Sequence, residues 1–423
     1  MDYSVFNSLA KKYGTPLYVY DGDKIVKNYH EFCNAFAVPK LKVHYACKAL
    51  NNLSILKIFK ALGSGLDCVS IQEVRLALYA GFQASEIIFT PNNVGESEFE
   101  EAIALGVKIN VDNLQMLEYL GINHPNLPLC IRINPHLMAG GNHKISVGHI
   151  DSKFGISIHQ IPLVQRLVKT LKIKVTGLHV HSGSDILNPE VFLRAAELVF
   201  NVARDFEELE TIDFGSGFKV QYKPNGLYTD IKEFGKIFSQ RFNDFCKEVN
   251  KDLTLIFEPG KYMVSNAGYF LVNVNVVKIT TSCTFIGIDS GLNHFIRPMF
   301  YDGYHEIKNL SNLDGPQKVY DVVGYICETD TFASNRILPE TKKNDLLLFE
   351  NAGAYCFTMS SNYNSRYRPA EVLLFGDQDF LITKRESQED LIRNQVEAPI
   401  ESFVAKGSEY EIKTKVVSED KDL

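Results

Sequence analysis

From about residue 15 to residue 265 the chain alternates short apolar, β-rich runs with longer stretches that carry one apolar face at helical spacing. Eight of the short runs read as strands: LKVHYAC (41–47), LDCVS (66–70), IIFTP (87–91), KINVD (108–112), PLCIRIN (128–134), VTGLHVHSG (175–183), TIDFGSG (211–217) and TLIFEPG (254–260). Between them lie IQEVRLALYAG, ESEFEEAIALG and NPEVFLRAAELVFNVARDFEEL, helical patterns that end at glycine or in polar turns. Strands that alternate with helices build a parallel sheet. Eight such units predict an α/β fold, a closed (β/α)8 TIM barrel, whose usual length is about 250 residues.

After Pro259 the pattern changes. GYFLVNVNVVKITTS, CTFIGIDSG and KVYDVVGYICET are β-rich, and long helical patterns largely disappear, which predicts a mostly antiparallel β domain. The expected division assigns residues 21–265 to the barrel. Residues 1–20, which end in the strand-like PLYVYD, go with 266–423 to the β domain. The charged tail from about residue 386 is expected to be partly disordered.

Composition narrows the class. With 423 residues, 45% of them hydrophobic, the chain can bury a large core. A net charge of −7 argues against general attraction to nucleic acid or an anionic membrane, and no apolar run approaches the ~18 residues of a membrane span. The eight cysteines are scattered, as expected for free thiols in a reducing compartment, and the N-terminus lacks the apolar run of a signal peptide. A cytoplasmic enzyme is the expectation.

In a parallel barrel the C-terminal strand ends share one mouth. Lys48 ends one strand. Most lysines are simply solvated, but one aimed at such a mouth can have a lowered pKa and attack a carbonyl as a free amine. His179 and His181, two apart on one strand face, suit zinc poorly because no third ligand is evident, so no metal is expected; a planar imidazole could instead stack on a flat cofactor. Gly215-Ser216-Gly217 follows a strand and could cradle a phosphate with its N–H groups, although such turns are common. Glu258 ends the last strand, where a buried carboxylate needs a partner: a pyridinium N–H, or an ordinary salt bridge.

In this order the segments YACKALNN, GLDCVSIQEVRLAL, DSKFGI, GLHVHSGSDI, IDFGSGF, EPGK, RPMFYDGYHEI, CETDTF and AGAYCFTMSSNYNSRYRPAEVL are far more specific than any one alone. Together the chain resembles the fold-type III, alanine-racemase-like decarboxylases that use pyridoxal 5′-phosphate (PLP), and within that group the diaminopimelate decarboxylases. The resemblance implies decarboxylation of meso-2,6-diaminopimelate to L-lysine and CO2, the last step of lysine biosynthesis. It implies that Lys48 carries the cofactor as a Schiff base, His181 stacks on its ring and Glu258 pairs with its pyridine nitrogen. Ser184, Gly215, Ser216, Gly217 and Tyr355 would surround the phosphate. Lys261, Arg297 and Tyr301 would bind the far end of the substrate, also reached by Tyr355. Cys327, as proton donor, and Glu328 would enter the site of the other subunit of a homodimer. Arg132, Asp67 and Glu73 would support the site from the barrel, and His179 is expected to be structural.

Two departures stand out. Lys261 occupies a position where this family commonly has arginine, so planar, bidentate carboxylate binding is lost there. Ser216 replaces a usual glycine, which is tolerable if the backbone there does not need a positive φ. The alternatives are a same-fold decarboxylase acting on carboxynorspermidine, ornithine, arginine or a D-amino acid, a non-catalytic PLP-binding homologue, or a barrel enzyme for phosphate substrates without PLP.

Overall fold

A computed structural model describes residues 3–137, 152–181, 183, 185–187 and 189–401. The eight runs form the barrel: β2 (Leu41–Ala46), β3 (Gly65–Cys68), β4 (Ile87–Phe89), β5 (Lys108–Val111), β6 (Leu129–Asn134), β8 (Val175–Val180), β9 (Thr211–Asp213) and β10 (Thr254–Phe257). All neighbours are parallel, and the ring closes because β5 pairs β6 at one seam and β10 pairs β2 at another. A two-residue strand, β7 (Ile156–Ser157), extends β6. Local chemistry sets the helix ends. The helix Ile71–Ala80 starts where the Ser70 hydroxyl accepts from the Glu73 N–H and stops at Gly81, whose φ of 97° is left-handed.

The second sheet runs β15-β14-β12-β11-β1-β17-β18. These strands are Thr331–Pro339, Gln317–Val323, Thr284–Ile288, Gly268–Ile279, Leu17–Asp21, Ala370–Phe375 and Gln378–Thr383 respectively. A further strand, β16 (Leu346–Phe349), joins β11 to β13 (Ile307–Asn309). Most pairings are antiparallel, but β1–β17 and β12–β14 are parallel. The N-terminal β1 is thus an interior strand, paired on one side with β11 and on the other with β17. Barrel and sheet pack as one unit through residue 385. Their backbones meet where the Gly353 N–H donates to Ser265 O (3.1 Å); a Cβ on Gly353 would collide with the carbonyl of Val264. Glu386 onward is a separate unit, whose described part carries the helix Gln388–Ile392, begun by Ser387 N–H donating to the Asp390 carboxylate. Among the described residues no helix is long and apolar enough to cross a membrane, and all eight cysteines are free thiols.

Polar groups inside this core carry a stability consequence. Burial lowers His44, on β2, to about 3, and with Arg297 beside it lowers His305 to about 3, against an ordinary 6.5. Below pH 6.5 the unfolded chain takes up protons that the folded chain refuses, so each histidine lowers stability as the pH falls from 6.5 toward 3. Each contributes a slope of up to about 1.4 kcal/mol per pH unit. Denaturant titrations across this range should therefore show a shallower acid loss for His44→Gln than for the unaltered chain; equal slopes would contradict a neutral buried His44.

Candidate active site

The barrel's strand ends bring the expected residues together. Lys48 follows β2, Asp67 lies in β3, Arg132 in β6, His179 in β8 with His181 just beyond it, and Glu258 follows β10. Register places Arg132 beside His179, and His179 beside Asp213. All seven but Asp213 line an inner cavity of about 380 Å³, with Ser216, Gly217 and Tyr355. It continues into an outer compartment of about 650 Å³ through walls shared by Lys48, Phe154, His181, Lys261 and Tyr355. Arg297, Tyr301, Tyr222 and Asp185 line the outer part.

Lys48 Nζ lies 2.5 Å from Asp67 Oδ2. Burial by itself would push the ammonium down, but Asp67, with Tyr355 and Glu258 beyond it, outweighs burial and raises it. This corrects the expectation of a lowered lysine pKa. A carboxylate in hydrogen-bonding contact within a low-dielectric cavity stabilises the cation more than desolvation destabilises it.

Glu258 is buried, and His179 Nε2 contacts its Oε2 at 3.1 Å. Burial would raise this carboxyl, but His179, by charge and hydrogen bond, and then Lys48 hold it well below the usual carboxylate range. Its other oxygen, Oε1, is buried without a partner. His179 therefore sits in the site, where the sequence suggested structural duty. One polar atom each from His179, Asp213 and Glu258 lies within 4.8 Å of the others.

His181 is driven well below 6.5 by burial, and further by Arg132 and Lys48, so its ring is neutral. Its Nδ1 accepts from the Ser216 N–H at 3.2 Å, which puts the ring proton on Nε2. The glycine turn is thus partly committed internally. The Gly215 N–H goes to Asp213 Oδ1 (2.8 Å) and the Ser216 N–H to His181. What the turn presents to the cavity is the Ser216 side and Gly217. Gly215 (φ 58°) and Gly217 (φ 127°) are left-handed and Ser216 is not, so serine is accommodated without strain. A Cβ on Gly215 would lie 2.6 Å from His181 Nδ1. Ser184 lies outside the described residues.

In the outer compartment the Arg297 guanidinium sits 5.0 Å from the Tyr222 ring centre and 5.6 Å from that of Tyr301. Its Nε donates to His305 Nε2 (3.4 Å), while His305 Nδ1 donates to Glu350 O (2.9 Å). Lys261 forms an ion pair with Asp185, so its charge is already answered. Glu73 accepts from the Val69 N–H at 2.8 Å and supports the cavity wall rather than entering it. Cys327 and Glu328 are exposed and line neither compartment of this chain; Asn364 Nδ2 contacts the Cys327 sulfur and Tyr363 the Glu328 carboxylate. Sequence reasoning missed Asp213, Asp185 and Tyr222. An acid inside the apolar strand TIDF was the one available signal for Asp213.

Comparisons with known proteins agree with this geometry. The family described as "Pyridoxal-dependent decarboxylase, pyridoxal binding domain" matches residues 22–265. A curated diaminopimelate decarboxylase of Methanothermobacter thermautotrophicus is 40% identical over 398 residues, covering 92% of this chain and 93% of that protein. Two crystal structures of diaminopimelate decarboxylases complexed with L-lysine superpose closely. That from Helicobacter pylori has a TM-score of 0.83 at 32% identity, covering 92% of this chain and 98% of its own. That from M. jannaschii has a TM-score of 0.85 at 30% identity, covering 93% and 94%. The chain belongs to the pyridoxal-dependent decarboxylases, in the diaminopimelate decarboxylase family.

Proposed function

We propose that this chain decarboxylates meso-2,6-diaminopimelate to L-lysine and CO2 in the cytoplasm, the last step of lysine biosynthesis, as a homodimer that uses PLP. One observation carries the reading. A lysine and a buried carboxylate with an unanswered oxygen face a single cavity, and that cavity opens onto a compartment walled by an arginine.

The inner compartment fits the cofactor. Glu258 Oε1 needs a donor, and a pyridinium N–H is one. The neutral His181 ring offers a flat face, and Ser216, Gly217 and Tyr355 are the groups for the phosphate, together with Gly215 and Ser184. Lys48 is the covalent anchor, and Asp67 Oδ2 is placed to take the proton its amine must lose before attacking a carbonyl. Bound PLP supplies a protonated ring that accepts the electron pair left when CO2 departs. Glu258, held ionised, keeps that ring protonated.

Arg297 takes the carboxylate at the far end of the substrate, with Tyr301 and Tyr355 beside it. Lys261 adds positive charge only as far as Asp185 leaves it free. Cys327 and Glu328, exposed here, enter the site of a second copy, where the thiol returns a proton to the substrate carbon and the carboxylate meets the far ammonium.

Incubation of the holoenzyme with meso-diaminopimelate should release lysine and CO2 in equal amounts. Ornithine, arginine, carboxynorspermidine and D-amino acids should be turned over about 10⁴-fold less efficiently, because they leave buried polar groups of the site unpaired. Preference for one of them would move the substrate. Arg297→Ala should lower kcat/KM by about 10²-fold or more while visible absorbance shows the cofactor still bound. Near-normal turnover in that variant would remove Arg297 from substrate recognition.

A further inference from the structure

Asp213 is buried beside His179, which already contacts Glu258, and has no part in the roles assigned so far. The Gly215 peptide ties Asp213 to Glu258: its N–H donates to Asp213 Oδ1 (2.8 Å), and its carbonyl accepts from the Glu258 N–H (2.6 Å). Each acid then has one oxygen occupied and one buried without a partner, namely Asp213 Oδ2 and Glu258 Oε1. Two ionised carboxylates this close, both out of water, repel strongly, and such pairs settle by holding one proton between them.

We propose that Asp213 is the neutral, protonated member of a carboxyl pair with Glu258, and that Asp213 and His179 act as positioning residues that keep Glu258 ionised. The asymmetry has a geometric cause. Glu258 receives His179 Nε2, whereas Asp213 receives only one backbone N–H. The other groups near the pair are Arg132, Lys48, Lys108, His44, His181, Asp67 and Cys130, and of the cations Lys48 is already matched by Asp67. Burial and then the Glu258 charge push Asp213 well above the usual carboxylate range, in keeping with this arrangement. The proton that Asp213 keeps is the one Glu258 would otherwise carry. A neutral Glu258 could not hold a ring nitrogen in its cationic form.

The identity of that ring rests on the proposed function, but the shared proton does not, so it is tested separately. Difference infrared spectra of the full-length protein with isotope-labelled aspartate, with and without added PLP, should show a protonated carboxyl at neutral pH that is lost in Asp213→Asn. In the holoenzyme, Asp213→Asn keeps a neutral donor. It should leave the pH dependence of the visible band unchanged and kcat within about three-fold, whereas Asp213→Leu should lower kcat by about ten- to one-hundred-fold at nearly constant KM. If Asp213→Leu does not fold, the spectrum and Asp213→Asn decide the question. Absence of the protonated carboxyl overturns the proposal. So does an Asp213→Asn variant as impaired as Asp213→Leu, or one whose visible band titrates differently. Metal analysis that finds one bound ion per chain, lost in Asp213→Asn, would also overturn it by replacing the proton with a cation.

Discussion

The site is organised around a carboxylate that must remain charged out of water. Sealing such a group in a barrel mouth costs several kcal/mol unless opposite charge and hydrogen bonds answer it. Glu258 is answered on one oxygen by His179, while its other oxygen is buried without a hydrogen-bond partner. The same electrostatic balance raises Lys48 against Asp67 and drives His181 neutral. The cavity is thus lined by fixed charges, with one buried carboxylate oxygen left without a hydrogen-bond partner, which is the observation the proposed cofactor site rests on.

The fold serves this arrangement by register. Parallel pairing sets Arg132 opposite His179 and His179 opposite Asp213, so that the three come side by side although they are far apart in sequence. The second sheet contributes the segments that wall the outer compartment and carry Arg297, Tyr301 and Tyr355. In the proposed function the inner of the two adjoining compartments takes the cofactor, and the outer one, where a guanidinium lies beside two tyrosine rings, takes the far end of the substrate.

Much of this was legible in the chain. All eight barrel strands declare themselves as apolar runs, because strands buried on both faces admit little else. Lys48, His181 and Glu258 stand out as polar residues where those runs end. Pairings were not legible. That the Ser216 N–H is spent on His181, that Lys261 is matched by Asp185, and that Asp213 lies beside Glu258 depend on neighbours brought together by strand order and by left-handed turns at Gly215 and Asp185. The lysine pKa failed for the same reason. Burial is readable from an apolar strand, but the carboxylate that outweighs it lies on the next strand. Cys327 and Glu328 are exposed and line neither compartment of this chain, so the role proposed for them rests on no contact within it.

The most direct test is borohydride reduction of the PLP-reconstituted protein followed by peptide mapping. The account predicts loss of the visible absorbance band and a single cofactor adduct on Lys48. Attachment at another lysine, or no band and no adduct after PLP is supplied, would contradict it.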